Sequence, residues 1–512
     1  MADVADRPTE SQASALINAN CVDFARRRIE PCTLFIERGV IVKKMDGRNC
    51  RIRSIPTVDL GGQYVIPGFI DGHTHLVPEG IGMQRLDLGR CRSLDKCFQK
   101  ITANIGKSEF VFASSWDETT WRRGRVTELD RTALDRLSTT TPIIMRRVCG
   151  HCAVVNTAAL RRIPDHWKIV DRKRGYLYEN VALNLNEIFV PGEDMLVKAV
   201  RLATTKALRL GITSVHEISQ PRYLRVLQKE RNRLNVRFSV YLTEKHHEHA
   251  VQTGLRSGFG DDWIRFAGTK VFIDGSLGAR TAALARPYAG SRMRGNILMP
   301  MSRLRRIVRS AEDCGVQLMI HSIGDRATEA TLQVLKDNIA RQNQLRHRLE
   351  HLELLSREAI DDLRRFNIIA SMQPNFVRRW QHQGSLYEKV IGERYLGMNC
   401  FRSILESGVR VVFGSDCMPL GPLYGIEGAV LHPSSCGRLD TATAFRLYTE
   451  AGAYATFDET RKGKLQAGYL ADLVVLDKNP LEEKNLTGLK INAVMVGGEF
   501  GYVGGTFAAR KK

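Results

Sequence analysis

From about residue 205 onward, short β-branched runs alternate with amphipathic stretches, and this alternation restricts the fold more than any other feature of the chain. The strand candidates are Ile212 to His216, Arg237 to Thr243, Ile264 to Ile273, Val316 to Ile320, Arg348 to His351, Ile368 to Met372 and Val409 to Phe413. Tyr64 to Ile70 makes an eighth. Between or before them lie Leu196 to Leu210, Arg303 to Cys314 and Ala327 to Ile339, with apolar residues at helical spacing. Strands alternating with helices build parallel sheets from βα units, and eight such strands predict an α/β chain folded as a (β/α)8 TIM barrel. Sites in such barrels sit on the C-terminal ends of the strands.

Two features interrupt a plain barrel. Residues 77 to about 200 separate the first strand from the second, far more than one helix needs, and predict a large insert acting as a lid or side domain. Both chain ends are β-rich, with Thr33 to Ile36 and Val40 to Val42 at one end and Ala471 to Leu476 and Ala493 to Val496 at the other. They are expected to meet in one small β-sandwich, residues 1–65 with 464–512, beside a barrel of residues 66–463. A length of 512 residues suits this division into one large and one small unit. No internal repeat or low-complexity tract is apparent.

Composition narrows the function classes. With 43% apolar and 26% charged residues the chain reads as globular, and no apolar run reaches the roughly 18 residues needed to span a bilayer. The opening MADVADRPTE is acidic and lacks a following apolar stretch, unlike a secretory signal. Eleven scattered cysteines, an odd number, suggest no disulfide framework and a reducing compartment, so a cytoplasmic protein is expected. The net charge of +21 is carried by short clusters such as Arg26-Arg27-Arg28, Arg305-Arg306 and Arg378-Arg379 along the whole chain. Without a nucleic-acid motif, solvated basic faces explain it better than a nucleic-acid site, and a homo-oligomer is left open.

The chemistry begins at Val65-Ile66-Pro67-Gly68-Phe69-Ile70-Asp71-Gly72-His73-Thr74-His75. Side chains alternate along a strand, so His73 and His75 face one side, an arrangement suited to a zinc-type metal. Alone, the pair more often describes two ordinary surface or core histidines. Other candidate strands also end in ligand-type residues: Lys270, His321, His351 and Asp416. Each has a plain alternative: a packed histidine, a salt-bridging lysine, a helix-capping aspartate. Their joint placement on the expected strands favours one converging site.

The phrases VIPGFIDGHTHL, TKVFIDGSLGARTAAL, HSIGDRA, RHRLEHLELL, FGSDCMP and GYLADLVVLDKNP resemble those of the amidohydrolase superfamily, specifically its YtcJ-like branch, which includes N-substituted formamide deformylases. The resemblance runs from about residue 15 to 505. It implies a barrel with a composite β-sandwich, one metal on His73, His75 and Asp416, and a second on His321 and His351. It also puts Lys270 where many members carry a carboxylated lysine bridging two metals; an unmodified cationic lysine could not ligate. One or two divalent ions are expected, zinc foremost. The implied activity is hydrolysis of a carbon–nitrogen bond, other than a peptide bond, in a small N-acyl or N-formyl amide. A cyclic amide, a deamination, or a barrel kept only for binding are the alternatives.

Amide hydrolysis at neutral pH requires a strong nucleophile, and a divalent metal lowers the pKa of its water from 15.7 to about 7 while polarising the carbonyl. Asp416 would take the proton and pass it to the leaving amine. No G-x-S-x-G elbow offers a serine instead. Arg280, on the glycine-rich loop after the fourth strand, could bind a substrate carboxylate or carbonyl, or form a surface salt bridge. In the insert, the resemblance puts His151 at a Gly-His pair that YtcJ-like relatives carry near the substrate, while Trp116 and Trp121 could line an apolar, substrate-facing lid or pack in a core. Cys149-Gly150-His151-Cys152 has the C-x-x-C form of a thiol oxidoreductase but follows a strand-like Pro142 to Val148 rather than opening a helix, which speaks against redox chemistry.

Overall fold

The structure is a computed structural model of the whole chain, describing residues 13–47, 52, 55–121, 128–148, 152–167, 169, 171–178, 181–182, 185–505 and 510–511. Eight strands form one parallel sheet: β1 (Phe69–Thr74), β2 (Ile212–Ser219), β3 (Arg237–Thr243), β4 (Ile264–Phe272), β5 (Gln317–Ser322), β6 (Arg348–His351), β7 (Ile369–Met372) and β8 (Val411–Phe413). Each pairs with its neighbour in sequence. The chain therefore has the TIM-barrel architecture that the alternation predicts. Strands buried on both faces need apolar residues on both, and β7 and β8 show this as unbroken buried runs. Helices Met301–Cys314 and Asp325–Asn338 follow β4 and β5 as amphipathic crossovers.

Closure falls between β8 and β1, where no strand ladder is formed. Here the backbones approach through two glycines. A Cβ on Gly72 would lie 2.7 Å from the Phe413 carbonyl oxygen, and one on Gly414 would lie 2.7 Å from the His73 Cβ. Hydrogen bonds from Asp416 N–H to the His73 carbonyl (2.8 Å) and from Ser415 N–H to Asp71 Oδ1 (2.8 Å) fasten the seam. The seam carries three of the candidate site residues.

The expected strand Tyr64 to Ile70 is two strands in two sheets. Tyr64–Pro67 pairs with Ser14–Asp23 and Leu473–Leu476, whereas Phe69–Thr74 enters the barrel. The break is at Gly68, whose N–H donates to the Asp472 carbonyl (2.9 Å). The two chain ends do meet, in one hydrogen-bonded sheet of nine strands running from Glu499–Val503 to Val40–Asp46. It curls on itself, since Ile41 from one end of the path and Met495 near the other share a buried cluster with Leu34, Val65 and Val475. Arg237 on β3 ties this sheet to the barrel through a buried, two-pronged ion pair with Asp472 (2.7 and 2.9 Å).

By contacts the chain divides into two compact units, Met1–Leu76 with Ala203–Lys512, and Val77–Leu202. The second is a folded unit in its own right. It has a five-stranded sheet in the order Tyr176–Tyr178, Cys152–Val155, Ile143–Arg147, Val111–Trp116, Leu86–Asp87. Against the expectation of independent thiols, Cys21 is bonded to Cys32 and Cys400 to Cys436. Among the described residues no helix is long and apolar enough to cross a membrane.

Candidate metal centre

The six ligand-type residues come together at the C-terminal ends of the barrel strands. His73 is buried at the end of β1, and His75 lies one residue past it, about a third exposed. Asp416 follows β8, with its Oδ1 3.2 Å from His75 Nε2 and 3.7 Å from His73 Nε2. One ligating atom from each of these three residues lies within 4.8 Å of the others. His351 packs 4.8 Å from His73 and 4.5 Å from His321, measured between ring centroids. Lys270, on β4, is fully buried, and its Nζ has no hydrogen-bond partner.

Two strand ends are bent to make this possible. His351 and Leu352 both adopt left-handed backbone (φ 75° and 50°), as do Asp416 and Cys417 (52° and 55°). Non-glycine residues enter this region at a cost, and it persists only where the surroundings enforce it. At β6 the bend brings the adjacent Glu350 and His351 to the same site.

Hydrogen bonds select which imidazole nitrogen is free. His73 Nδ1 is held by Glu350 Oε2, and His351 Nδ1 by Gln373 Oε1 (2.7 Å). An acceptor at Nδ1 fixes the proton there and leaves Nε2 with its lone pair. His321 is reversed: its Nε2 faces the Gly275 carbonyl (3.0 Å), which leaves Nδ1 free. Protonation favours the same role. Burial drives His73 and His351 well below the usual histidine range and His321 to about 4, so all three are neutral. Burial alone would raise the Asp416 carboxyl, but the hydrogen bond from His75 and the fields of His73, His75 and Lys270 hold it below the ordinary range. Neutral imidazoles and an ionised carboxylate are the forms a divalent cation requires, so the donor set fits a metal. Burial also lowers the Lys270 amine to about 8, against the fields of Glu350 and Asp416.

The amidohydrolase family description matches residues 56–502. The chain belongs to the amidohydrolase family. Among its relatives, YtcJ of Bacillus subtilis is 27% identical over 494 residues, covering 87% of this chain and 90% of that protein. The N-substituted formamide deformylase of Arthrobacter pascens is 22% identical over 526 residues, covering 93% and 95%. A solved structure described as an uncharacterized metal-dependent hydrolase, from Pyrococcus horikoshii, superposes with a TM-score of 0.80 at 26% identity, covering 93% of this chain and 99% of that one.

In this amidohydrolase the remaining predicted residues fare differently. Arg280 follows β4, half-buried and in left-handed conformation (φ 55°), and its side chain forms no ion pair with the described residues. The salt-bridge alternative thus has no partner there. Trp121 is buried in the apolar cluster of the insert, its ring 5.9 Å from that of Trp116, so both rings are engaged in packing. His151, Cys149 and Gly150 lie outside the described residues.

Several polar residues of the site escaped sequence reasoning. Besides Glu350 and Gln373, Asp274 accepts the N–H groups of Ile323 (3.0 Å), Gly324 (2.9 Å) and Ala283 (2.9 Å) and pins the loop after β5 that follows His321. Glu353, just past β6, is fully buried with Oε2 unpartnered, and burial pushes its carboxyl up to about 8. Apart from Gln373, these are charged residues beside predicted strand ends, which was the available signal.

Proposed function

We propose that this chain hydrolyses a carbon–nitrogen bond, other than a peptide bond, in a small N-acyl or N-formyl compound, with His73, His75, His321, His351 and Asp416 holding one or two divalent ions, zinc foremost. The observation that carries this reading is the convergence of neutral, oriented imidazoles and an ionised carboxylate on one barrel mouth. The formamide deformylase among the relatives supports the substrate class. A metal in this site supplies an acidified water and polarises the scissile carbonyl.

The chain's own residues do the rest. Asp416 Oδ1, kept ionised by its histidine neighbours, accepts a proton and returns it to the departing nitrogen, without which the amine is a poor leaving group. Lys270, if carboxylated, would add an anionic ligand: its buried Nζ has no hydrogen-bond partner, and burial lowers the amine to about 8, which enlarges the neutral fraction that reacts with carbon dioxide. Arg280 offers a planar, uncommitted guanidinium to a substrate carbonyl or carboxylate.

The test is elemental analysis of the purified protein together with a turnover screen of N-formyl amines, N-acyl amines, cyclic amides and ring amines. Bound zinc or a similar ion with turnover of the first two classes is the expected result. Turnover confined to cyclic amides or ring amines reassigns the substrate, and a protein that takes up no divalent metal refutes the mechanism.

A further inference from the structure

One buried pair on β6 does more than fill the barrel. Arg348 and Glu350 are two residues apart and share the interior face, both without solvent exposure. Glu350 Oε1 receives the Arg348 Nε–H (2.6 Å), while its Oε2 holds His73 Nδ1. The rest of the guanidinium reaches three other strands. Nη2 donates to the Gly72 carbonyl (2.6 Å) on β1 and to Ser371 Oγ (2.6 Å) on β7, and Nη1 donates to His216 Nδ1 (2.9 Å) on β2.

Two details separate this arrangement from an ordinary structural ion pair. First, it grips His73 twice: Glu350 takes the ring, and Arg348 takes the carbonyl of the residue immediately before it. Second, the site's imidazoles are treated unequally. His351 rests on a neutral amide, and His321 Nε2 faces a backbone carbonyl at 3.0 Å with Asp274 Oδ1 farther off at 3.4 Å, whereas the ring of His73 has a carboxylate as its direct Nδ1 partner. A carboxylate at Nδ1 fixes the ring's orientation and makes Nε2 a stronger donor than an amide or carbonyl does.

Resting on the reading of His73 as a metal ligand, we propose that Glu350, clamped by Arg348, is a positioning residue that locks His73 as the Nδ1–H tautomer and sets the site's affinity for its first metal. Two buried charges are held at the barrel's centre for this purpose, where an apolar filling of the same volume would stabilise the fold at least as well.

The test measures Co²⁺ affinity by chelator competition and the visible spectrum of the Co²⁺-loaded protein, on the wild type, Glu350→Gln, and the double variant Arg348→Met/Glu350→Gln, which leaves no unpaired buried charge. Arg237→Met serves as a destabilised control remote from the metal ligands. Expected are a 10- to 100-fold loss of affinity and a shifted spectrum in both Glu350 variants, with wild-type affinity in Arg237→Met. Folded Glu350 variants with wild-type affinity and spectrum overturn the proposal and leave the metal site standing. A wild type that binds no Co²⁺ overturns both. Should neither Glu350 variant fold, the ring nitrogens of ¹⁵N-histidine-labelled wild type decide: a His73 Nδ1–H signal supports the proposal, and an Nε2–H signal overturns it.

Discussion

Replacing Gly414 by alanine tests whether the β1–β8 seam positions the site. The added methyl would meet the His73 backbone nitrogen, lie 2.7 Å from the His73 Cβ and 2.9 Å from its Cα. Ordinary van der Waals contact begins at 3.4 Å and the approach to the His73 nitrogen is the tightest of the three, so the strands have to part by about 1 Å. The neighbour is backbone, which cannot swing aside like the tip of a side chain. Overpacking of this kind costs about 1–3 kcal/mol. The site suffers separately: His73 and Asp416 flank the seam, and a misplacement near 1 Å is worth about 100-fold in rate. Gly414→Ala is therefore expected to lower the melting temperature, weaken metal retention against a chelator and cut turnover by about two orders of magnitude. The control is Gly82→Ala, in the helix Leu76–Met83 with nothing within 4 Å of its added Cβ, which should be neutral or stabilising by up to about 1 kcal/mol. A Gly414→Ala protein as stable, as metal-retentive and as active as wild type refutes the seam argument.

Three further predictions address the proton carrier, the domain tie and a buried acid. Asp416→Asn keeps the shape but cannot accept a proton, so turnover on any N-acyl substrate found should fall by about 100- to 10,000-fold; an active variant excludes Asp416 from that role. Arg237→Met strands the Asp472 carboxylate and should cost about 3–5 kcal/mol in denaturant unfolding, most of it recovered in Arg237→Met/Asp472→Leu; a double variant no better than the single contradicts the ion-pair account. Glu353 has a folded pKa of about 8 against 4.5 for a free glutamate, so its neutral form favours the fold, and that stability is complete below 4.5 and lost as pH rises toward about 8. Glu353→Gln does not titrate, so wild type should lose stability relative to the variant between pH 4.5 and 8; parallel stability–pH curves would falsify the burial of that carboxyl.

The barrel was legible because parallel strands covered on both faces must be apolar throughout, and Val411–Phe413 or Ile369–Met372 can hardly be read otherwise. What an apolar run does not encode is which sheet receives it. Tyr64 to Ile70 looks continuous, yet Tyr64–Pro67 and Phe69–Thr74 go to different sheets, a division set by partners such as Asn20 before it and Ile212 and Leu476 far after it. The bonded cysteines illustrate the same point. Cys21 and Cys32 lie on antiparallel neighbours, Ser14–Asp23 and Arg28–Glu37, and only that pairing brings them together.

The ligand-type residues were legible for a different reason: a histidine or aspartate at the end of an apolar strand stands out by type and position. Their supports do not. In Arg346-His347-Arg348-Leu349-Glu350-His351 nothing in residue type says that the charges at 348 and 350 are buried, and only closure of the barrel turns that face inward. Strand alternation would also place Glu350 and His351 on opposite sides, and the left-handed backbone at His351 and Leu352 that brings them together leaves no mark in residue types. Orientation of the site thus resides in contacts across strands: Glu350 on β6 governs a ring on β1, and Gln373 after β7 governs one on β6. If so, sensitivity of metal affinity to substitution should extend beneath the ligand shell along Arg348, Ser371 and His216, whereas a change at Leu349, buried in the apolar core, should lower stability and leave metal affinity unchanged.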